Sequence, residues 1–392
     1  MSLSAGRSYL AIPGPSVMPD AVLQAMHRPS PNIYEGELHA LTDSLIPDLK
    51  MVAQTSGNVA IYIGNGHAAW EASLANILSR GDEVLVAATG AFGTGWAEAA
   101  KGLGAKVHLI DHGERSPIDP ARVASALSED KAHRIKAVLA VHVDTSTSVK
   151  SDIAALRKAM DATGHPALLM VDCIASLGCD TFRMDDWGVD VMVSACQKGL
   201  MTPAGLCFVW FNEKARQQRG DCVTPMWDWQ PRVSPDEYWQ YFNGTAPTHH
   251  LFGLRAALDL IKAEGIENVF ARHASLAQMI WAAVEVWGKD GPMRLNVADP
   301  DSRSHAVTSI GLRSPDGDRL RKWCEEKCGL TLGIGLGRSP ADAYFRIGHM
   351  GHVSAHMTMG VIGTIDAGLK ALGISHGAGA VEAAAKVLAA RA

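Results

Sequence analysis

The chain has 392 residues, of which 47% are hydrophobic and 20% charged, with a formal net charge of −5 and a pI of about 6.3. This composition is typical of a folded globular enzyme and excludes a disordered chain, and it provides no basic field for nucleic acid or an anionic membrane. Because single cores rarely grow beyond about 250–300 residues, the length predicts two domains.

The cysteines and the N-terminus bear on the cellular compartment. Seven cysteines are scattered along the chain, which predicts reduced thiols rather than a disulfide framework. The N-terminal stretch lacks the long apolar core of a signal peptide, and no run is long enough to span a membrane. We therefore expect a cytoplasmic protein that contacts neither membrane nor nucleic acid.

The first functional pattern joins a strand, a glycine-rich turn and a helix. A strand at residues 58–63 runs into Gly64-Asn65-Gly66-His67, and a helix follows at residues 68–78. The N–H groups at such a helix start, backed by the helix dipole, can bind a phosphate. The spacing of Gly64, Gly66 and Ala69 also matches a dinucleotide fingerprint, which leaves a nicotinamide-dependent dehydrogenase open. That fingerprint needs an acid at the end of the next strand, which here ends in Thr89-Gly90.

Strand and helix patterns then alternate up to residue 211. We predict further strands at residues 84–88, 106–110, 137–141, 167–171, 189–195 and 206–211, and helices at residues 94–103, 119–129 and 152–163. This order is typical of an α/β fold with a mostly parallel sheet flanked by helices.

Two of the predicted strands end on side chains that are costly to bury, Asp172 and the pair Gln197-Lys198. The carboxyl ends of such strands form a ligand crevice, so Asp172 and Lys198 should face one pocket. A desolvated lysine can form a Schiff base with an aldehyde, and a carboxylate can keep a pyridine nitrogen protonated. The pair predicts pyridoxal phosphate chemistry; the alternative is an Asp that caps a turn and a Lys in solvent.

Three other side chains are candidates for the site. Phe92 follows a strand and could stack on a flat cofactor ring or fill the core. Ser146 lies in a run of hydroxyl residues at another strand end. Arg346 lies within an apolar strand, where a buried arginine requires an anion, either a substrate carboxylate or an acidic side chain of the chain itself.

The C-terminal half departs from the alternating pattern. Residues 221–250 are rich in aromatics and prolines, which indicates a packed loop or a subunit interface that reaches the active site. His249-His250 lacks acidic or cysteine companions, so we predict no metal site. A long helical region at residues 251–287 leads to a second domain, with predicted strands at residues 306–312, 332–335 and 343–347 and helices at residues 317–327 and 357–372.

Taken together, these motifs resemble class V aminotransferases of pyridoxal phosphate fold type I, and within them the alanine–glyoxylate and serine–glyoxylate (serine–pyruvate) branch. The resemblance is carried, in chain order, by Pro13-Gly14-Pro15, Gly64-Asn65-Gly66-His67, Asp172, Gln197-Lys198 and Phe345-Arg346-Ile347-Gly348. It implies a large cofactor domain with a mostly parallel seven-stranded sheet and a smaller α+β domain. We place the N-terminal segment over the active site at residues 1–18, the large domain at 19–260 and the small domain at 261–392.

The resemblance also implies a role for each candidate residue. Lys198 and Asp172 would be catalytic, with Lys198 holding pyridoxal phosphate and moving the proton and Asp172 bonding the ring nitrogen. The other implied cofactor contacts are Asn65, Gly66, His67, Phe92, Ser146, Ile174, Gln197 and Thr245, the last from a neighbouring subunit. Arg346 would bind the substrate carboxylate, with Gly14 and Ser146 beside it. Asn65 departs from the family pattern, which often has Ser or Thr there.

The expected activity is a ping-pong transamination. A small amino acid, serine or alanine, would donate its amino group to the cofactor, which would pass it to glyoxylate or pyruvate in a homodimer with shared active sites. Arg346 can bind one carboxylate and the sequence shows no second obvious cationic site, so we expect substrates with a single carboxylate. The alternatives are another amine donor, aspartate or pyridoxamine, a lyase of the cysteine desulfurase type, the dehydrogenase, and a non-catalytic binding protein.

Overall fold

The computed structural model describes residues 3–391, in which strands of two main sheets alternate with helices. The strands are β1 (Tyr9–Ala11), β2 (Asn58–Gly64), β3 (Glu83–Ala88), β4 (Lys106–Asp111), β5 (Ile135–Val141), β6 (Val143–Asp144), β7 (Val149–Lys150), β8 (Leu168–Asp172), β9 (Val191–Ala195), β10 (Gly205–Phe211), β11 (Arg294–Leu295), β12 (Val307–Gly311), β13 (Leu330–Ile334) and β14 (Tyr344–Gly348).

The helices pack on both faces of the larger sheet and around the smaller one. They are α1 (Asp20–Met26), α2 (Glu37–Ala53), α3 (Gly66–Ile77), α4 (Ala91–Gly102), α5 (Pro120–Glu129), α6 (Ile153–Ala162), α7 (Glu213–Gln217), α8 (Gln230–Val233), α9 (Thr248–Glu264), α10 (Ile266–Trp287), α11 (Asp316–Cys328), α12 (Ala355–Leu372) and α13 (Ala380–Arg391).

The larger sheet has seven strands in the order β2-β10-β9-β8-β5-β3-β4. Every neighbouring pair is parallel except the two pairs that β10 makes, which are antiparallel. The central strands β5, β8 and β9 are almost entirely buried, because helices cover both faces of a parallel sheet. The predicted α/β class and mostly parallel sheet are confirmed.

The smaller sheet has the order β1-β13-β14-β12-β11. Its first strand comes from the N-terminus, because Tyr9–Ala11 pairs in parallel with the start of β13. The sequence did not predict β1, β11, the β6–β7 hairpin or α13, since three of these are too short to show a period. The predicted helix at residues 251–287 is two helices that meet at Gly265, whose φ of 83° breaks the helical geometry.

The packing suggests where the two domains meet. Val269 of α10 packs in the core of the larger sheet, whereas Leu276 of the same helix packs with the smaller sheet. The predicted boundary after residue 260 lies inside α9, so we propose that the large domain extends into the first half of α10. None of the helices between residues 3 and 391 combines the length and apolar character needed to cross a membrane.

The aromatic segment at residues 221–250 is held by a buried arginine, Arg232. Its guanidinium donates to the carbonyl oxygens of Ile61 at 2.9 Å, Tyr241 at 2.8 Å and Met226 at 2.7 Å. It also lies 4.3 Å from the ring centroid of Tyr62. These contacts attach the segment to β2, so a packed loop describes it within one chain; its role at a subunit interface stays a prediction.

Replacing Arg232 by Leu should lower the free energy of unfolding by about 3 kcal/mol, because the buried carbonyl oxygen of Ile61 and the partly buried ones of Tyr241 and Met226 lose their donor. Arg219→Leu is the matched control: Arg219 lies two residues before the segment, its side chain is about half exposed, and its pair with Asp228 of the segment should contribute about 1 kcal/mol or less. Urea unfolding followed by circular dichroism measures both. Equal losses would show that Arg232 does not hold the segment.

Candidate active site

The ends of β8 and β9 bring the two predicted catalytic residues together. The strands are parallel neighbours with Asp172 opposite Val193, and Lys198 follows three residues after β9 ends. Both side chains line a cavity of about 270 Å³. Its lining residues are Gly14, Pro15, Asn65, Gly66, His67, Trp70, Phe92, Val143, Thr145, Asp172, Ile174, Ala175, Gln197, Lys198 and Ala204.

Most of the predicted site residues therefore lie in one place, and three do not line this cavity: Ser146, Thr245 and Arg346. A larger cavity of about 1020 Å³ lies between the N-terminal segment and α12, and none of the predicted site residues lines it.

Asp172 is 2% exposed, and each of its carboxylate oxygens accepts a hydrogen bond. The backbone N–H of Ile174 donates to Oδ1 at 2.7 Å, and the indole N–H of Trp70 donates to Oδ2 at 2.7 Å. Burial outweighs these bonds and raises the pKa of Asp172 to about 7. The carboxylate thus caps the following turn and also faces the cavity, where a protonated ring nitrogen would stabilise its charge.

Lys198 is held inside the pocket rather than in solvent. Its ammonium group donates to the carbonyl oxygen of Pro13. Burial, with a smaller contribution from the positive charge of Arg346, lowers the pKa of Lys198 to about 8. The loop at residues 13–16 is fastened above it, because the Ser16 hydroxyl donates to the Lys198 carbonyl at 2.7 Å. A lysine with a lowered pKa is suited to reaction with an aldehyde.

The walls of the cavity suit a flat ring. A Cβ atom at Gly66 would lie 2.5 Å from Cδ1 of Ile174, so glycine keeps the space above Ile174 open. Phe92 lines the same cavity. The side-chain oxygen of Gln197 is buried and has no hydrogen-bond partner among residues 3–391, so it can accept a bond from a ligand. These features fit a planar, polar cofactor.

The predicted phosphate cradle is partly occupied by its own side chain. Asn65 is the N-cap of α3, and its side-chain oxygen accepts from the N–H groups of His67 at 3.1 Å and Ala68 at 3.4 Å. An anion at this helix start would meet the Asn65 amide instead of those two N–H groups. The cap is made by the side chain of Asn65, the residue that departs from the family pattern of Ser or Thr.

Ser146 does not line the cavity, and its hydroxyl is used in bonds within the chain. Its hydroxyl donates to Oδ1 of Asp144 at 2.5 Å and accepts from the N–H of Ala91 at 3.0 Å. Asp144 also accepts from the N–H groups of Phe92 at 2.9 Å and Gly93 at 3.2 Å, which holds the start of α4. In this hydroxyl run it is Thr145, one residue earlier, that lines the cavity. Both residues lie in the turn between β6 and β7, where neighbouring side chains take different directions.

Arg346 lies on β14 and reaches across to the large domain. It donates through Nε to the carbonyl oxygen of Ile334 at 2.8 Å and through one terminal nitrogen to that of Thr145 at 2.9 Å. No carboxylate within residues 3–391 forms an ion pair with it, so an internal salt bridge does not account for its burial. Burial lowers its pKa to about 10, and an anionic ligand would compensate this desolvation.

Thr245 is exposed and outside the cavity of its own chain. A contact with the cofactor of a neighbouring subunit stays a prediction for this residue.

The thiols do not provide a reactive cysteine at the pocket. Burial raises the pKa of Cys179 to about 12, and it raises the pKa of Cys173 and of Cys196 as well. A thiol held protonated is a poor nucleophile, which speaks against a lyase of the cysteine desulfurase type.

The fold and the site define a class of enzyme. The family model described as aminotransferase class-V matches residues 51–359, and the chain belongs to this family. It is therefore an aminotransferase, and the family implies pyridoxal phosphate. This membership replaces the dehydrogenase and the binding-protein alternatives.

Three relatives of the chain are aminotransferases whose names include glyoxylate or pyruvate. The chain is 37% identical to a serine–glyoxylate aminotransferase of Methylorubrum extorquens over 91% of this chain and 90% of the relative. It is 36% identical to an L-aspartate–glyoxylate aminotransferase of Paracoccus denitrificans, over 96% and 94%. The crystal structure of pyridoxamine–pyruvate aminotransferase from Mesorhizobium loti superposes with a TM-score of 0.89 at 26% identity, covering 99% of this chain and 98% of that chain.

Among the contributors to the site that the sequence interpretation missed are Trp70, Thr145 and the carbonyl oxygen of Pro13. Trp70 lies one helical turn after His67 and so shares its face of α3, a spacing that could have placed it in the pocket. Backbone carbonyl groups leave no such signal in a sequence.

Replacing Gly14 by Ala should block Lys198, because the added Cβ would lie 2.6 Å from Cδ in the middle of the lysine side chain. Gly36→Ala is the matched control: φ is 99° at Gly14 and 93° at Gly36, but a Cβ at Gly36 would meet nothing within 4 Å. Both variants should lose a similar amount of thermal stability from backbone strain.

Only Gly14→Ala should lose labelling of Lys198 by pyridoxal phosphate and borohydride, measured by peptide mass spectrometry. Equal labelling of the two variants would show that the loop does not abut the lysine.

Proposed function

We propose that this protein is a pyridoxal phosphate-dependent aminotransferase that moves the amino group of a small amino acid, serine or alanine, to glyoxylate or pyruvate by a ping-pong mechanism. The observation that carries the proposal is that Lys198 and the buried Asp172 face one pocket, with Arg346 nearby and without an ion-pair partner in the described chain. The serine–glyoxylate relative from Methylorubrum extorquens supports the choice of substrates.

When bound, pyridoxal phosphate would act as an electron sink for the substrate Cα. Lys198 would hold the cofactor and, once displaced by the substrate amine, take and return the proton at Cα. Burial lowers the pKa of Lys198 to about 8, and the same burial would favour the neutral amine that can accept this proton. Asp172 would hold a proton on the ring nitrogen by accepting its hydrogen bond.

The phosphate and ring contacts are proposed for Asn65, Gly66, His67, Phe92, Ile174 and Gln197, all of which line the cavity. Ser146 would act indirectly, by fixing Asp144 and thereby the backbone of Phe92. Gly14 gives the loop its close approach to Lys198, because a side chain at this position would meet the lysine.

The choice of a monocarboxylic donor follows from the charges at the pocket. Among the described residues that line the pocket, Lys198 is the one lysine, and there is no arginine. Arg346 lies close to Lys198 and can bind one carboxylate. Lys198 is committed to the cofactor, so within the described part of this chain the cavity lining supplies no second lysine or arginine for the side-chain carboxylate of aspartate.

Aspartate is the second candidate donor. One observation favours it, the 36% identity to the L-aspartate–glyoxylate aminotransferase of Paracoccus denitrificans over 96% of this chain. A cation from a neighbouring subunit would then complete the site.

We further propose a cytoplasmic homodimer in which Thr245 of one subunit contacts the phosphate in the other. The exposure of Thr245 and the free state of the seven cysteines support this arrangement.

Single-turnover spectroscopy tests the donor. We expect serine or alanine to convert the visible absorbance of the bound cofactor to that of its aminated form, and glyoxylate to restore it. Aspartate should react at least about tenfold more slowly, because its second carboxylate enters without a cation. Faster conversion by aspartate would replace the donor, and a colourless protein after addition of pyridoxal phosphate would refute the cofactor assignment.

Arg346→Lys should lower kcat/KM for serine by about 100-fold, because lysine cannot form the paired bonds that a guanidinium makes with a carboxylate. Cofactor loading should be unchanged. Arg338→Lys is the control: Arg338 is also buried, but its guanidinium already pairs with Glu114 at 2.7 Å. Similar losses in both variants, measured by steady-state kinetics, would mean that Arg346 does not meet the substrate.

A further inference from the structure

The Asp172 carboxylate accepts two hydrogen bonds, one from the backbone and one from a particular side chain. The bond from the Ile174 N–H at 2.7 Å is a backbone bond that any residue except proline could make at that position. The bond from the Trp70 indole at 2.7 Å requires a tryptophan at that position of α3. The proposed mechanism gives Trp70 no role.

The indole of Trp70 cannot turn away from Asp172. It is 2% exposed and lies against the rings of His67 at 4.6 Å, Phe92 at 6.2 Å and Trp96 at 6.2 Å between centroids. On the remaining side a Cβ atom at Gly95 would lie 3.2 Å from the ring, so glycine provides its space. The indole N–H therefore has a fixed direction, and that direction ends on Asp172.

The other ionisable groups near Asp172 do not replace this bond. Asp144 is a second buried carboxyl and makes ionisation of Asp172 less favourable, whereas the charge of Lys198 favours it. The thiol of Cys173 is adjacent and is kept protonated by burial. Once Lys198 is joined to an aldehyde, its ordinary ammonium charge is altered, and the Trp70 and Ile174 donors remain.

We propose that Trp70 is a positioning residue whose indole N–H holds the Asp172 carboxylate in the ionised form and orientation that a protonated ring nitrogen requires. The catalytic part of this inference rests on the proposed function, because it assumes a pyridine ring in the cavity. The bond itself does not, and it can be tested on cofactor-free protein.

Trp96 provides a matched comparison. It is also buried and stacks on Trp70 with an interplanar angle of 17°. Its indole N–H has no hydrogen-bond partner among the described residues. Trp70→Phe and Trp96→Phe therefore remove the same atoms from neighbouring positions, but only the first removes a donor to Asp172.

The first measurement is thermal unfolding of cofactor-free protein against pH. The folded-state pKa of Asp172 is raised to about 7, so ionising it destabilises the fold, and this loss grows as pH rises from about 4 and levels off above about 7. Without the indole donor the folded-state pKa rises further, so in Trp70→Phe the loss continues above pH 7.

We expect the Tm deficit of Trp70→Phe relative to wild type to widen by about 2 °C or more between about pH 6 and about pH 8.5. The deficit of Trp96→Phe should stay constant over the same range. If the two variants show parallel pH dependence, the indole does not stabilise the carboxylate and the proposal is wrong.

The second measurement uses pyridoxal phosphate. Trp70→Phe should bind it about tenfold or more weakly than Trp96→Phe and, when saturated, should lose kcat with little change in KM for the amino acid. Equal affinity and equal kcat in the two variants would overturn the positioning role. If wild type binds no pyridoxal phosphate, the proposed function fails, while the pH comparison on cofactor-free protein still decides the bond.

Discussion

The active site depends on placing a lysine and a buried aspartate in one pocket at the ends of two adjacent parallel strands. The charged form of each group is less stable there than in water, as the lowered pKa of Lys198 and the raised pKa of Asp172 show. The β8–β9 pairing sets their separation, and the loop at residues 13–16 closes over the lysine. The free energy lost in this burial is what a cofactor with an aldehyde and a ring nitrogen can recover.

Helix α3 links the cavity to the rest of the large domain. Its first residues line the cavity, and Asn65 caps it. Near its other end, Asn76 donates to the carbonyl oxygen of Trp227 at 2.6 Å and accepts from the N–H of Trp229 at 3.2 Å. One helix therefore orients both the floor of the site and the aromatic segment, and a shift of that segment would reach the cofactor contacts through it.

The small domain contributes one proposed substrate contact, Arg346. Several hydrogen bonds between the two domains set the position of this residue. The Arg346 bond to the Thr145 carbonyl crosses between the sheets, and buried Asp180 of the large domain accepts from the Ser304 hydroxyl at 2.9 Å and from the His305 N–H at 2.8 Å. Because Arg346 bonds only carbonyl oxygens in the described chain, its charge is available to a carboxylate. Relative motion of the domains would move this charge with respect to Lys198.

The sequence by itself determined the alternation of strands and helices, the ends at which Asp172 and Lys198 lie, and the buried arginine, because apolar periodicity and isolated charges in apolar runs are local properties. Only the tertiary structure decided that Thr145 rather than Ser146 lines the cavity, that Tyr9–Ala11 joins the smaller sheet, and that Trp70 bonds Asp172. These depend on contacts between residues up to about 320 positions apart, such as Tyr9 with Leu330, and on the direction of single side chains. No local pattern encodes either property.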